Sequence, residues 1–301
     1  MPKKVLLIGQ NGQVSTYIQN ALEGDAECQL VIAGRDDLDL SKPSEVQASL
    51  TQFAPDIIVN PAAYTAVDLA EQEQEQDLAY AINRDAVAEI AAYSNQTETP
   101  LVHFSTDYVF DGDASKPYLE DHEAAPSGIY GASKLGGEQA ILESKAPAII
   151  LRTSWVYSNH GKNFYKTMLA LSESRTELSV VTDQVGAPTY AGSIADATVS
   201  LLKQIIQQGG IPTEQRGVYH FTCQGQTSWC DFAKAIFVEN QVSNMIVNPI
   251  STQEYPTPAK RPAYSVLDGG KLQAMFDLSL PHWGTALAHC AAETVRLKRQ
   301  S

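Results

Sequence analysis

Short uninterrupted apolar runs recur through the first half of the chain, separated by stretches whose apolar residues fall three or four positions apart. Val5-Leu6-Leu7-Ile8 is the first run, and others stand at 30–33, 57–60, 101–104 and 148–151. Runs of this kind suit strands buried on both faces of a parallel sheet. The stretches between them, at 14–22, 44–53, 76–93 and 130–144, carry helical periodicity. Such alternation predicts an α/β fold, a doubly wound parallel sheet with helices on both faces. After about residue 155 the pattern loosens. Helices are expected at 163–171, 193–207, 229–239 and 285–299, short strands at 178–181 and 218–221, and a rigid proline-rich loop at 255–262. No internal repeat or low-complexity linker divides the chain.

In doubly wound sheets ligands bind beyond the carboxyl ends of the strands. Gly9, Gly12, Arg35, Pro61, Tyr64, Ser105, Asp107 and Trp155 all fall at such ends, which predicts a single site there. Gly9 and Gly12 lie between the first strand and the first helix, where glycines let backbone approach a pyrophosphate at a helix N-terminus. The spacing is G-x-x-G-x-x-S, ending on Ser15, and departs from the usual G-x-G-x-x-G fingerprint. Arg35, after the second strand, stands where an acidic residue would repel a 2′-phosphate, and its forked guanidinium suits that phosphate instead. NADPH is therefore the expected cofactor, with NADH possible. Tyr130 and Lys134 lie four apart, on one face of a helix. An ammonium beside a phenol favours the phenolate and makes the phenol a better proton donor.

Composition narrows the partners. The chain has 301 residues, 44% of them hydrophobic, which suffices for a large core. A net charge of −14 argues against nucleic-acid and anionic-membrane surfaces, which need clustered basic residues. Cys28, Cys223, Cys230 and Cys290 lack C-x-x-C spacing and are expected to be reduced, buried thiols. The acidic run from Asp68 to Asp77 reads as a solvated helix start. No apolar stretch approaches the length of a membrane span, so a soluble, cytoplasmic protein is expected.

Several longer segments carry a family resemblance. They are Asp56-Ile-Ile-Val-Asn-Pro-Ala-Ala-Tyr-Thr-Ala-Val-Asp68, Ser105-Thr-Asp-Tyr-Val-Phe110, Tyr130-Gly-Ala-Ser-Lys134 and Arg152-Thr-Ser-Trp-Val-Tyr157. Asp183-Gln-Val-Gly-Ala-Pro-Thr189 and Tyr255-Pro-Thr-Pro-Ala-Lys-Arg-Pro262 follow. The chain resembles the extended short-chain dehydrogenase/reductases and, within them, the dTDP-4-dehydrorhamnose reductase family. The T-A-V-D, S-W-V-Y and D-Q-V-G-A-P-T segments are the specific ones. Pro61 is a departure, because alanine is usual there in the family.

The resemblance implies a Rossmann-like NAD(P)-binding domain over residues 1–155. A smaller, mainly substrate-binding domain would cover 156–301 and return some elements to the main fold. It implies hydride transfer from NAD(P)H to a dTDP-linked 4-keto-6-deoxysugar, converting dTDP-4-dehydro-β-L-rhamnose to dTDP-L-rhamnose. Tyr130 would donate the proton, Lys134 would lower the Tyr130 pKa and hold the nicotinamide ribose, and Thr106 would bond the carbonyl oxygen or Tyr130. Gly9, Gly12, Gln13 and Val14 would line the pyrophosphate turn. Asp39 and Leu40 would flank the adenine, with Ala63, Tyr64 and Thr65 on the ribose and nicotinamide side. Thr106, Asp107, Trp155 and Val67 would surround the sugar, Arg261 would meet the diphosphate, and Lys162 and Asn163 would lie towards the nucleotide.

Structural roles compete at several of these positions: a turn or helix cap for Asp39 and Thr106, a core position for Trp155, a solvated loop for Arg261. Some family members join subunits through a carboxylate-bound magnesium ion. Gly192 stands where one of those carboxylates would be, and Glu293 alone cannot make the site, so no metal is expected; a homodimer is implied by the resemblance alone. Two other activities stay open: reduction of a different nucleotide-linked 4-keto-6-deoxysugar, and a non-catalytic NADP-binding role like that of the regulatory subunit of methionine adenosyltransferase.

Overall fold

The apolar runs become strands β1 (Lys3–Ile8), β2 (Cys28–Ala33), β3 (Ile57–Asn60), β4 (Leu101–Thr106) and β5 (Ala148–Thr153). Helices α1 (Gln13–Leu22), α2 (Pro43–Phe53), α3 (Glu73–Tyr80), α4 (Ala86–Thr97) and α5 (Ile129–Ser144) alternate with them. The computed structural model describes residues 1–300, with side chains through residue 297. Its later half holds β6 (Val156–Tyr157), α6 (Phe164–Ser172), β7 (Glu177–Val181), β8 (Val185–Gly186), β9 (Thr189–Tyr190) and α7 (Ala191–Gln208). β10 (Gly217–His220), β11 (Thr227–Ser228), α8 (Trp229–Glu239), β12 (Ile246–Ile250), α9 (Gly270–Phe276) and α10 (Trp283–Gln300) complete it.

Six strands pair in parallel in the order β10-β5-β4-β3-β1-β2, so the sixth strand of the sheet comes from the far half of the chain. Successive side chains of a strand face opposite sides. Val5 and Leu7 accordingly join Ile18, Leu22, Ile194 and Leu201 on one face, where α1 packs on α7. Leu6 and Ile8 join Val46, Leu50, Val87 and Ile90 on the other. The strand order reverses between β1 and β3, and the crevice outside the strand ends opens at that reversal. No helix among the described residues is long and apolar enough to cross a membrane.

Three expectations change. The helix expected over 76–93 is interrupted by a π turn, Ala81–Asp85. That turn contains Asn83, whose amide accepts from Tyr64 N at 2.9 Å and donates to Tyr64 O at 3.1 Å, tying the helix to the loop after β3. The acidic run is not merely solvated: Glu71 accepts from Ile129 N at 2.9 Å and so caps α5. Strand β12 escaped the sequence pattern because Asn248 and Pro249 interrupt its apolar residues, yet it pairs in parallel with β7. The four two-residue strands are too short to show any period.

Between the sheet and α5, the Arg152 guanidinium meets Glu138 through two bonds, at 2.9 and 2.6 Å, with both side chains buried. The Phe110 ring lies 4.9 Å from the guanidinium carbon. Removing one partner of a buried pair strands the other charge and costs about 3–5 kcal/mol. Arg152→Met is therefore expected to lower the unfolding free energy measured in urea by that order, whereas exposed Lys42→Met, which loses only a surface pair with Glu45, should leave it nearly unchanged.

Candidate active site

A cleft of about 800 Å³ opens at the carboxyl ends of the strands. At its start the chain leaves β1 through Gly9, whose φ of +101° is a conformation that side-chain-bearing residues rarely adopt. A β-carbon there would lie 3.1 Å from that of Ala62. Gly12 is the N-cap of α1 and no side chain caps it. Ser15, at the third position of the motif, is buried against this turn, its hydroxyl small enough for close packing of helix and sheet. Gln13 reaches across to the later half, where its Oε1 accepts from Ser158 Oγ at 2.8 Å and from Asn163 Nδ2 at 2.7 Å.

The other wall comes from β4 and α5. Gly131 in α5 lies so close to the turn after β4 that a β-carbon would stand 2.1 Å from Tyr108 O. That approach brings Tyr130 beside Thr106 and edge-on to Tyr108, 5.5 Å between ring centroids. Thr106 does two jobs. Its oxygen accepts from Tyr108 N at 3.2 Å, capping the turn, and its hydroxyl donates to Asp107 Oδ1 at 3.0 Å. Asp107 Oδ2 is buried without a hydrogen-bond partner.

Burial governs the electrostatics. It pushes the Tyr130 phenol above its usual range, with Thr106 opposing by hydrogen bonding. Lys134 is pulled down to about 8 by burial, against the attraction of Glu138. Lys134 Nζ donates to Phe104 O at 2.6 Å. The expectation that the ammonium lowers the phenol is thus not met in the protein alone: desolvation raises it, and Lys134 is not among the groups that act on it. Desolvation likewise raises Asp107 to about 6, only partly offset by the Ser265 and Thr106 hydroxyls.

Most residues singled out in the sequence come together here. Gly9, Gly12, Gln13, Val14, Arg35, Asp39 and Leu40 line the cleft, as do Ala63, Thr65, Val67, Thr106, Asp107, Tyr130, Lys134 and Trp155. Asp39 also ties its turn by accepting from Ser41 Oγ at 2.7 Å. Tyr64 does not line the cleft, because it is buried with its hydroxyl on Glu75 at 2.9 Å. Arg261 lines a neighbouring cleft, where it is paired with Asp68 at 2.6 Å. Trp155 belongs to both clefts, has a φ of +46°, and stacks on Trp229 with 3.5 Å between centroids. A bulky residue at positive φ is strained by about 1–3 kcal/mol, so the stack and its neighbours hold it there. Sequence reasoning missed Trp229 and Phe164, which line the second cleft, for an amphipathic helix turns aromatics inward without saying what they meet.

No group of three or more potential metal ligands exists among the described residues. Glu293 is instead engaged by Tyr17 at 2.6 Å, by Asn159 at 3.0 Å and by Tyr190.

The family model described as the RmlD substrate binding domain matches residues 3–296. A dTDP-4-dehydrorhamnose reductase of Sinorhizobium fredii is 41% identical over 283 residues, covering 93% of this chain and 94% of that protein. The chain belongs to the dTDP-4-dehydrorhamnose reductase family. The Escherichia coli K12 reductase is also 41% identical, over 93% of this chain and 94% of its own length. The crystal structure of the Bacillus anthracis reductase in complex with NADP superposes with a TM-score of 0.89 at 38% identity, covering 97% of this chain and 100% of that one. In this reductase-family cleft, Asp107 gives a pH signature. Its folded pKa lies above the unfolded value of 3.8, so ionisation costs the folded state. The cost is absent below about pH 4 and complete above about pH 6, and two units correspond to about 3 kcal/mol. Asp107→Asn should raise thermal stability at neutral pH by up to that amount, a gain that vanishes in acid; a gain of equal size at both pH values would contradict it.

Proposed function

We propose that this chain reduces dTDP-4-dehydro-β-L-rhamnose to dTDP-L-rhamnose with NADPH. The observation that carries the reading is that Tyr130, Thr106 and Asp107 meet in one cleft of a chain that belongs to this reductase family. The cofactor fits the cleft on its own terms. The turn that Gly9 opens and the uncapped start of α1 leave backbone N–H groups of the first helical turn for a pyrophosphate, Arg35 suits a 2′-phosphate, and Lys134 would hold the nicotinamide ribose. Bound there, NADPH supplies the hydride.

The chain's own residues do the rest. Tyr130 donates a proton to the C4 oxygen of the sugar as negative charge develops. Its raised pKa keeps it protonated at neutral pH and so available as the acid. Thr106, whose hydroxyl donates to Asp107 Oδ1 in the protein alone, would turn that proton to the carbonyl oxygen or Tyr130 as charge develops. Asp107 Oδ2, lacking a partner in the protein, is free to accept a sugar hydroxyl. The later half supplies the substrate side: Trp155 lies between the two clefts, and the second, with Trp229, Phe164 and Arg261, takes the nucleotide end. Arg261 would reach the diphosphate from its pairing with Asp68. We place the enzyme in the cytoplasm, and its assembly as a homodimer.

Three measurements test this. NADPH oxidation should occur with dTDP-4-dehydro-6-deoxyglucose only when the 3,5-epimerase is present, and Tyr130→Phe should lower kcat at least about tenfold while leaving the NADPH dissociation constant nearly unchanged. Oxidation without the epimerase would favour a different 4-keto sugar, and cofactor binding without oxidation would favour a non-catalytic role. Arg35→Ala should weaken NADPH by roughly tenfold and NADH hardly at all; equal losses for both would remove Arg35 from 2′-phosphate recognition.

A further inference from the structure

Beneath the cleft floor lie two buried polar residues that do not line it and that the reaction as described does not use, and they lead to Lys134, which does line it. Asn60, at the end of β3, and His103, in β4, are both fully buried, and Lys134 is nearly so. Ala62 N donates to Asn60 Oδ1 at 3.2 Å, which fixes the amide and turns its Nδ2 towards His103 Nδ1, 3.1 Å away. An amide nitrogen has only protons to offer, so His103 Nδ1 must accept. A neutral imidazole carries one N–H, and it is therefore on Nε2. That N–H faces Lys134 Nζ at 3.4 Å. Lys134 already donates to Phe104 O at 2.6 Å.

An ammonium has three donors and no acceptor, and a donor aimed at it is repulsive. A neutral amine has a lone pair that accepts from His103 Nε2–H and keeps one N–H for the cleft. We propose that Asn60 and His103 are positioning residues that favour the neutral amine of Lys134 in the free enzyme, so that in mildly alkaline solution loading the cofactor takes up a proton from solvent onto Nζ. The inference rests on the reading of the cleft as the NADPH site. A cofactor's phosphates bring negative charge and its ribose hydroxyls bring acceptors, both of which favour the ammonium.

The surrounding groups agree. Glu138, one turn along α5, is the carboxylate that attracts a charge on Lys134, but both its oxygens are engaged by Arg152. Tyr130 and Asp107 face the same cleft; burial keeps Tyr130 neutral, while Asp107, raised only to about 6, is ionised in free and loaded protein alike at alkaline pH. Burial also keeps His103 from becoming cationic. Lys134 titrates at about 8, so the switch falls within a pH range that can be measured.

The test is calorimetric titration of the full-length protein with NADPH alone at about pH 8.5, in two buffers of different ionisation enthalpy, which reports protons bound. The wild type should take up about half a proton or more, and Lys134→Met almost none. In Asn60→Asp the carboxylate accepts from His103 Nδ1–H, leaving Nε2 to accept from an ammonium formed before loading, so uptake should be lost. His103→Gln can present an N–H to Nζ and should retain it. His103→Met removes the donor and should cut uptake to less than half, an independent check if Asn60→Asp does not fold. Binding by the wild type without uptake, or full uptake in both Asn60→Asp and His103→Met, would overturn the relay while leaving the cofactor site standing. Absence of NADPH binding would overturn the functional reading and this inference with it.

Discussion

The approach of α5 to the turn after β4 sets the geometry on which the whole cleft depends. Gly131 has no β-carbon, so the helix can lie against the Tyr108 carbonyl, and the first turn of α5 then delivers Tyr130 to Thr106. The same closeness buries Lys134 one turn further on and places it over the β4 backbone, where Phe104 O holds it. Glu71 anchors the start of this helix, and the Glu138–Arg152 pair anchors its middle to β5. Interiors pack at crystal-like density, so even one methyl group at Gly131 would separate these elements.

Desolvation is the second organising effect, and it acts in one direction on Tyr130, Lys134 and Asp107. A phenol and a carboxyl are raised and an amine is lowered, so each is moved towards its neutral form. Such groups change charge within a narrow pH range and respond to what binds beside them. The charge pattern of the cleft is completed by what binds, which suits a reaction whose cofactor and nucleotide-sugar both carry phosphates.

The two halves of the chain are interlocked instead of merely adjacent. β10 closes the edge of the sheet next to β5, and α7 covers the face that α1 shares. Gln13, at the cofactor turn, is bonded to Ser158 and Asn163, while Asp68 in the first half holds Arg261 in the second. Trp155 sits where the halves meet, in a strained backbone conformation that its stack on Trp229 maintains.

The sheet and the position of the cleft were legible in the chain, because buried parallel strands leave continuous apolar runs and ligands gather at strand ends. Tyr130 and Lys134 could be placed on one helix face for the same local reason: a helix repeats every 3.6 residues. Which carbonyl Lys134 meets, that Tyr64 turns away to Glu75, and that Arg261 pairs with Asp68 rest on contacts between residues far apart in sequence. Periodicity carries no information about such partners. The pKa directions were equally out of reach, since they depend on how completely water is excluded, and that is decided only when α5, β4 and the loop after β3 close on one another. Local spacing determined which residues share a face; tertiary packing decided what each face meets and how dry the meeting is.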